Sequence, residues 1–195
     1  LTAVTTGGSN VSIGSGALTA DTTGAQNVAI GGYYNASYVG AMGANTAGSE
    51  CVAIGTAALQ TANENDNDGT VAIGWGACRV QAGTGGAQYA SATTAIGHKA
   101  LTALTTGVGN TAVGYQSGKA ITGGAANTVM GYGALDLLTT GNHNIAIGHD
   151  AANAMDAGES HNYAIGSDSM GSMDEGSSGT IDYNIAIGYT ALLGG

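Results

Sequence analysis

A five-residue phrase that ends in glycine recurs ten times along this chain of 195 residues, and in its fullest form it reads N-x-A-I-G. The closing glycines are Gly14, Gly31, Gly55, Gly74, Gly97, Gly114, Gly131, Gly148, Gly166 and Gly188. Successive glycines are separated by 17, 24, 19, 23, 17, 17, 17, 18 and 22 positions, so the basic unit has 17 residues and the longer gaps contain insertions. Such a period is typical of a solenoid, in which each unit forms one coil that stacks on the next.

The residues of each unit favour extended structure over helix. Within the phrase, β-branched residues alternate with alanine, which is the two-residue period of a strand. Glycine every few residues would destabilise a helix by about 1 kcal/mol per copy. In five units a second phrase, x-x-A-L, follows the glycine and is expected to form another short strand. We therefore predict an all-β fold, a parallel β-solenoid or β-roll of about ten short coils.

The predicted organisation is a single repeat domain over residues 1–195. Because the chain opens in the middle of a unit, we expect it to be a fragment of a longer fibre. Insertions into the coils are expected near residues 32–48, 60–69, 79–92 and 167–183.

The alternation also leads to a prediction of the core. We expect the isoleucines Ile30, Ile54, Ile73 and Ile96 to stack in one buried column, with the intervening alanines facing outward. Because small residues let another surface approach closely, the alanine column predicts a homotrimer. Asn opens seven of the ten phrases, and stacked Asn amides are expected to hydrogen-bond along the column.

Composition and charge exclude several classes of function. The net charge is −10, and Arg79, Lys99 and Lys119 are the only Lys or Arg residues, so no basic face for nucleic acid or an anionic membrane is expected. The sequence contains no run of 18 apolar residues, so membrane insertion is not expected. Because the motifs of hydrolases, nucleotide-binding enzymes and zinc proteases are missing, we expect no enzymatic activity. Cys51 and Cys78 have no metal-site spacing and are expected to be free and partly buried.

Binding residues are expected where the repeat is interrupted or where aromatic residues line up. Tyr33, Tyr34 and Tyr38 in the first insertion suit stacking on sugar rings, and the alternative is a loop folded on its own aromatic residues. Five successive units have a planar side chain after the core glycine, namely Trp75, His98, Tyr115, Tyr132 and His149. This stripe is expected either to hold a glycan or to pack at a corner or against a neighbouring chain. The receptor-contact candidates are Tyr33, Tyr34, Tyr38, Trp75, Tyr115 and Tyr132.

The stretch N-E-N-D-N-D-G is the most acidic part of the chain. Glu64, Asp66 and Asp68 alternate ahead of a glycine, as ligands do in a calcium loop, but Trp75 stands where the downstream bidentate Glu would be. A calcium site and a solvated turn are the two interpretations, and no other cofactor is expected. A further acidic loop with metal-ligand residues contains Asp156, Glu159 and His161.

The repeated phrases resemble those of known surface fibres. N-x-A-I-G followed by x-x-A-L resembles the head repeats of trimeric autotransporter adhesins, and G-N-T-A-V-G-Y-Q-S-G with L-T-T-G is similar to repeats of bacteriophage tail fibres. In the adhesins such repeats form a left-handed parallel β-roll wound as a trimer that binds host surfaces. The resemblance therefore implies a structural fibre or adhesin segment, which we interpret as a phage tail-fibre shaft.

On this interpretation the protein is located on a virion or outside the cell, and its partners are its own copies and a cell-surface glycan or protein receptor. The alternatives are a bacterial surface adhesin, a purely structural extracellular filament and an ice-binding solenoid. An ice-binding surface would need a regular outward array of threonine pairs.

Overall fold

The computed structural model describes residues 6–35, 37–60, 67–80, 91–173 and 181–193. Within these ranges the chain forms ten β-strands of three residues each. They are β1 (Val11–Ile13), β2 (Val28–Ile30), β3 (Val52–Ile54), β4 (Val71–Ile73), β5 (Thr94–Ile96), β6 (Thr111–Val113), β7 (Thr128–Met130), β8 (Ile145–Ile147), β9 (Tyr163–Ile165) and β10 (Ile185–Ile187). All ten lie in one sheet in chain order. No helix in these ranges is long and apolar enough to cross a membrane.

Each strand pairs in parallel with the equivalent strand of the next coil. Val52 lies beside Val71, Ala53 beside Ala72, and Ile54 beside Ile73. The same residue-on-residue register holds for the other eight pairs. The predicted β-solenoid, with the glycine-ended phrases in vertical register, is therefore confirmed.

The x-x-A-L phrase does not form the second strand that we expected. After Gly97 the backbone passes through left-handed angles at Lys99 (φ 58°) and Leu101 (φ 49°), so the phrase is a run of tight turns. The Lys99 N–H donates to Trp75 O of the preceding coil (2.9 Å), and the Leu101 N–H donates to Ser117 O of the following coil (3.1 Å). These hydrogen bonds offset the strain of left-handed residues, which is about 1–3 kcal/mol each.

The strands turn the opposite face to the core from the one that we expected. Ala53, Ala72 and Ala95 are fully buried, whereas the isoleucines beside them lie on the outer side and are half-buried. The predicted core column, Ile30, Ile54, Ile73 and Ile96, is thus an outer column, and that prediction was wrong. The alanine column is inside the chain and cannot be the contact between chains.

The reason is the small width of the coil. Leu101 and Leu135 of the turns are fully buried in the same core cluster as the strand alanines, so little space is left on the strand, where Val129 is the largest side chain at the inward middle position. The core glycines let successive coils approach closely, since a Cβ on Gly114 would overlap the carbonyl oxygen of Gly131 in the next coil. Asn, Ala and Gly therefore occupy the alternate inward positions of N-x-A-x-G, and the β-branched residues between them face outward.

Buried Asn side chains form the predicted ladder. The Asn127 amide donates to Asn110 Oδ1 (3.1 Å) and to Gly141 O (2.9 Å). Its own Oδ1 accepts from the Asn144 backbone N–H (2.9 Å) and side-chain amide (3.1 Å). Each such amide joins three coils, so the stacked Asn side chains satisfy one another along the axis.

Other residues with polar side chains are also inside the coils. Asp21 is buried and accepts from the Gly24 N–H (3.0 Å), and burial raises the pKa of this carboxyl while that hydrogen bond opposes the rise. In the next coil Asn45 makes the equivalent hydrogen bond (3.1 Å). Cys51 stands at a ladder position, where burial raises the pKa of its thiol to about 12. Neither Cys51 nor Cys78 forms a disulfide, as predicted, and both are fully rather than partly buried.

Candidate functional site

A column of aromatic side chains runs along one corner of the solenoid. Most of it comes from the residue after five successive core glycines, Gly74 to Gly148, where the chain leaves the strand and the side chain points away from the core. Rings from the first insertion extend the column at one end. We call this set the aromatic ridge, and its residues are Tyr34, Tyr38, Trp75, His98, Tyr115, Tyr132 and His149.

From Trp75 to His149 the rings are stacked face to face. Neighbouring ring centroids are 4.8–5.2 Å apart, and the ring planes are within 13° of parallel. This spacing follows from the parallel sheet, whose strands are about 4.8 Å apart. The stripe that we predicted from the sequence is therefore a continuous stack.

Stacking determines what the ridge presents to solvent. Each inner ring has both faces covered by its neighbours, so Tyr115 and Tyr132, which are 40% and 54% exposed, offer mainly their edges. The edges of Tyr and His carry hydrogen-bonding groups, namely the phenol hydroxyl and the imidazole nitrogens. The inner part of the ridge is thus suited to hydrogen bonding, and stacking on a sugar ring needs the open faces at an end.

The first insertion forms a tight turn that holds Tyr38 against the solenoid. The Tyr34 N–H donates to Tyr38 O (3.0 Å), and the Tyr38 N–H donates to Asn35 O (3.0 Å). The Asn35 side chain accepts from the Ser37 N–H (2.9 Å), and Gln60 Nε2 donates to Ser37 O (3.0 Å). The insertion is therefore anchored both within itself and to the coil beneath it.

Beyond the insertion the chain returns to the regular path of a coil. Ala41 O accepts from the Leu18 N–H (3.2 Å), and the Met42 N–H donates to Ala58 O (3.0 Å), as equivalent residues do elsewhere. Tyr38 takes the place above Trp75, with centroids 5.0 Å apart and planes tilted by 44°.

The two ends of the ridge differ in charge. At the insertion end, Arg79 Cζ lies over the Tyr38 ring at 5.6 Å from its centroid, and Lys99 Nζ lies over the Trp75 ring at 5.4 Å. At these distances a cation is attracted to the aromatic face. This end is therefore both aromatic and basic.

At the opposite end the ridge meets acidic groups. His149 Nδ1 is 3.1 Å from Asp150 Oδ2, and Asp168 of the next coil completes a group whose ligand atoms all lie within 4.8 Å of one another. Gly133 lacks the Cβ that would overlap the Asp150 carboxylate. The sequence analysis did not find this cluster, because its residues come from two coils. Exposed acidic groups of this kind are common in proteins that bind no ion, so the cluster alone does not define a metal site.

The structure brings five of the six receptor-contact candidates into one ridge. These are Tyr34, Tyr38, Trp75, Tyr115 and Tyr132. Tyr33 is exposed but makes none of the ring contacts that define the ridge.

The calcium candidate falls mostly outside the described residues, since Glu64 and Asp66 lie there. Asp68 is described, and its carboxylate accepts from the Ser49 N–H in the preceding coil (2.7 Å). Asp182 accepts from Ser160 in the same way (2.7 Å). This hydrogen bond gives Asp68 a structural role, which agrees with the interpretation of the stretch as a solvated turn.

A second, shorter stack was missed by sequence reasoning. His143, His161 and Tyr183 stack with centroids 5.1 and 4.8 Å apart, each at the position before a ladder Asn. Their shared position before an Asn of the ladder is the sequence signal from which this stack could have been predicted. In the second acidic loop the Glu159 carboxylate accepts from the Ala157 N–H (2.9 Å), so it serves the loop's own backbone.

Comparisons of this chain with protein-family models, with curated proteins and with solved structures give no match.

Proposed function

We propose that this chain is a segment of a surface fibre, a bacteriophage tail-fibre shaft that carries receptor contacts along its length. The proposal rests on one observation. The described residues form a uniform solenoid that bears one continuous ridge of seven aromatic rings. The ladders inside the coils serve the shaft. The ridge is not needed to fill the core, and it is exposed along much of its length, so it serves contact with a partner.

A bacterial surface adhesin would use the same architecture in the same way, and a structural filament would use the shaft without the ridge. The ice-binding alternative is less well supported. Threonine faces outward in three described strands, at Thr94, Thr111 and Thr128, and always in the same column. Paired columns of threonine, which a regular ice-binding surface needs, are therefore missing from the described strands.

The fibre is proposed to be a homotrimer, held through the outer face of the sheet. We define the outer face as the first and third residues of the ten strands, which are mostly Val, Ile and Thr. Ile13 and Ile187 of the two end strands are 57% and 69% exposed, and most of the isoleucines between them are half-buried. Long apolar faces of this kind mark interaction sites in soluble proteins. Identical flat faces with identical spacing can pack together along their whole length, and the trimer follows the state of the adhesin heads that the repeats resemble.

Two lysines on the outer face test the assembly. The variant with Ile54→Lys and Ile73→Lys should sediment as a monomer, because charges would be buried unpaired between chains. Its far-ultraviolet circular dichroism should be unchanged, since both side chains point out of the coil. Val108→Lys, an exposed apolar residue away from the outer face, is the matched control and should leave the oligomer intact. A stable monomer of the unmodified chain would refute the trimer.

Cell attachment tests the receptor role. The assembled chain is labelled and its binding to a panel of bacterial cells is measured against two variants. One carries Tyr115→Ala and Tyr132→Ala, and the other carries Ser at Tyr33, Tyr34 and Tyr38. Attachment that weakens in either variant while the assembly persists supports contacts through that part of the surface. If neither variant weakens attachment, the chain would be a shaft without receptor contacts in the ridge.

A further inference from the structure

We infer that the insertion end of the aromatic ridge, formed by Tyr34, Tyr38 and Trp75 with Arg79 and Lys99, binds an acidic saccharide. This inference rests on the proposed function and names the ligand class for the ridge. The sugar ring packs on the open aromatic face, and its anionic group is held by the two cations.

The distribution of positive charge is the first argument. The chain has a net charge of −10 and three Lys or Arg residues in total. Two of the three, Arg79 and Lys99, lie on rings of the ridge and at the same end of it. In so acidic a protein, this is a local site for a negative charge.

Ring geometry is the second argument. The Tyr34–Tyr38 planes are tilted by 59° and the Tyr38–Trp75 planes by 44°, whereas the other rings of the ridge are within 13° of parallel. Tilted rings cover one another's faces only in part. Tyr34, which is 73% exposed, is the outermost ring. Tyr38 and Trp75 are half-buried beneath the cations and neighbouring rings, so the open aromatic face at this end is that of Tyr34, where a sugar ring can lie.

The chemistry of the cations is the third argument. A guanidinium is planar and matches carboxylate, sulfate or phosphate oxygens with two parallel hydrogen bonds, and an ammonium adds a point charge. Two cations suit one acidic group beside an apolar sugar face. A polyanion such as nucleic acid would meet the net negative charge of the rest of the chain and be repelled.

The experiment measures binding of the assembled chain to a glycan array at low and high salt. The array pairs sialylated, uronic acid-containing, sulfated and phosphorylated oligosaccharides with the same oligosaccharides after the acidic group is removed or reduced. The variants are Arg79→Gln and Lys99→Gln. The control is Lys119→Gln, which removes the same charge elsewhere and breaks a partly exposed ion pair of small energetic weight. Near-ultraviolet circular dichroism verifies that the ring stack persists in each variant.

The expected result is a preference for the acidic form that falls as salt rises. Arg79→Gln and Lys99→Gln should each weaken binding by about 10- to 100-fold, the effect of losing a charged hydrogen bond, while Lys119→Gln has no effect. The array members that bind identify which acidic group is recognised.

Three outcomes would overturn the inference. They are equal binding to the acidic and neutral forms, binding that both Gln variants leave unchanged, and tighter binding to DNA than to any saccharide. If cells are still bound through the ridge in these cases, the fibre proposal stands without this ligand. Failure of the fibre proposal would be seen separately, in attachment that the ridge variants leave unaffected.

Discussion

The two faces of each strand follow different rules. On the inner face Asn, Ala and Gly return in coil after coil, because each contacts its own equivalent above and below. On the outer face the first residue changes among Val, Thr, Ile and Tyr, and the third is a large apolar residue throughout, Ile in eight of the ten strands. The difference shows that the coil is specified by small and amide side chains. The β-branched residues, which first suggested a core, are free to serve a surface.

The largest effect is expected from enlarging the inner face. Ala95→Leu should destabilise the fold by about 3 kcal/mol, because three extra carbon atoms have no space beside the buried leucines. Ile96→Leu, one residue along and on the outer face, should cost less than about 1 kcal/mol. Denaturant unfolding of both variants measures the contrast. Equal costs would mean that the two faces have been assigned wrongly.

The amide ladder should come next. Asn127→Ala removes a fully buried side chain with hydrogen bonds to both neighbouring coils and should cost about 2–3 kcal/mol. The control is Asn10→Ala, where the side chain is only partly buried and water can replace it, so about 1 kcal/mol is expected. A similar loss at both sites in thermal unfolding would show that burial does not set the strength of the ladder.

A smaller effect is expected on the ridge. Tyr132→Leu breaks two ring contacts and should lower stability by about 1 kcal/mol, with a loss of near-ultraviolet dichroism. Tyr189→Leu is the control, since Tyr189 occupies the equivalent position after Gly188, is 77% exposed and lies outside the ridge. If both changes have the same effect, the stack contributes nothing to stability.

The smallest effect concerns pH. Because burial raises the pKa of Asp21, the folded state binds this proton more tightly than the unfolded state does, and stability falls as pH rises through the folded pKa. Asp21→Asn should therefore raise Tm at neutral pH by about 1–3 °C and give no gain at low pH. The reverse change, Asn45→Asp in the next coil, should lower Tm at neutral pH. A gain that is the same at all pH values would rule out this ionisation as its source.

The sequence was sufficient to predict the coil, but it did not show which face of each strand points to the core. The strand positions, the parallel register and the Asn ladder all follow from repetition, since like residues must stack in a parallel solenoid. Hydrophobicity alone placed Ile54 inside and Ala53 outside. The better guide was side-chain size, because Asn, Ala and Gly take the alternate positions where space is limiting, whereas recurrence alone does not separate the faces, since the outward Ile recurs in eight of the ten strands. The turns at Leu101 were unpredictable from propensity, since hydrogen bonds between coils stabilise a left-handed leucine.

Of the candidate site, the part that repeats was predictable. The series from Trp75 to His149 could be aligned on the glycines, and its rings stack as expected. The joining of Tyr38 to Trp75 was not predictable, because it depends on the turn that Asn35 makes and on the anchor from Gln60. The approach of Arg79 to Tyr38 likewise depends on where the first insertion places Tyr38.

The equal spacing of the units between Gly97 and Gly148 has a consequence for how such a solenoid changes over time. Each unit there has 17 residues and presents the same contacts above and below. Loss of residues 115–131 would place Tyr132 directly after Gly114, so that its ring would follow His98 without a gap. Recombination between units can therefore lengthen or shorten the protein without a search for a new fold. Its reach would change in steps of about 4.8 Å, one strand spacing at a time.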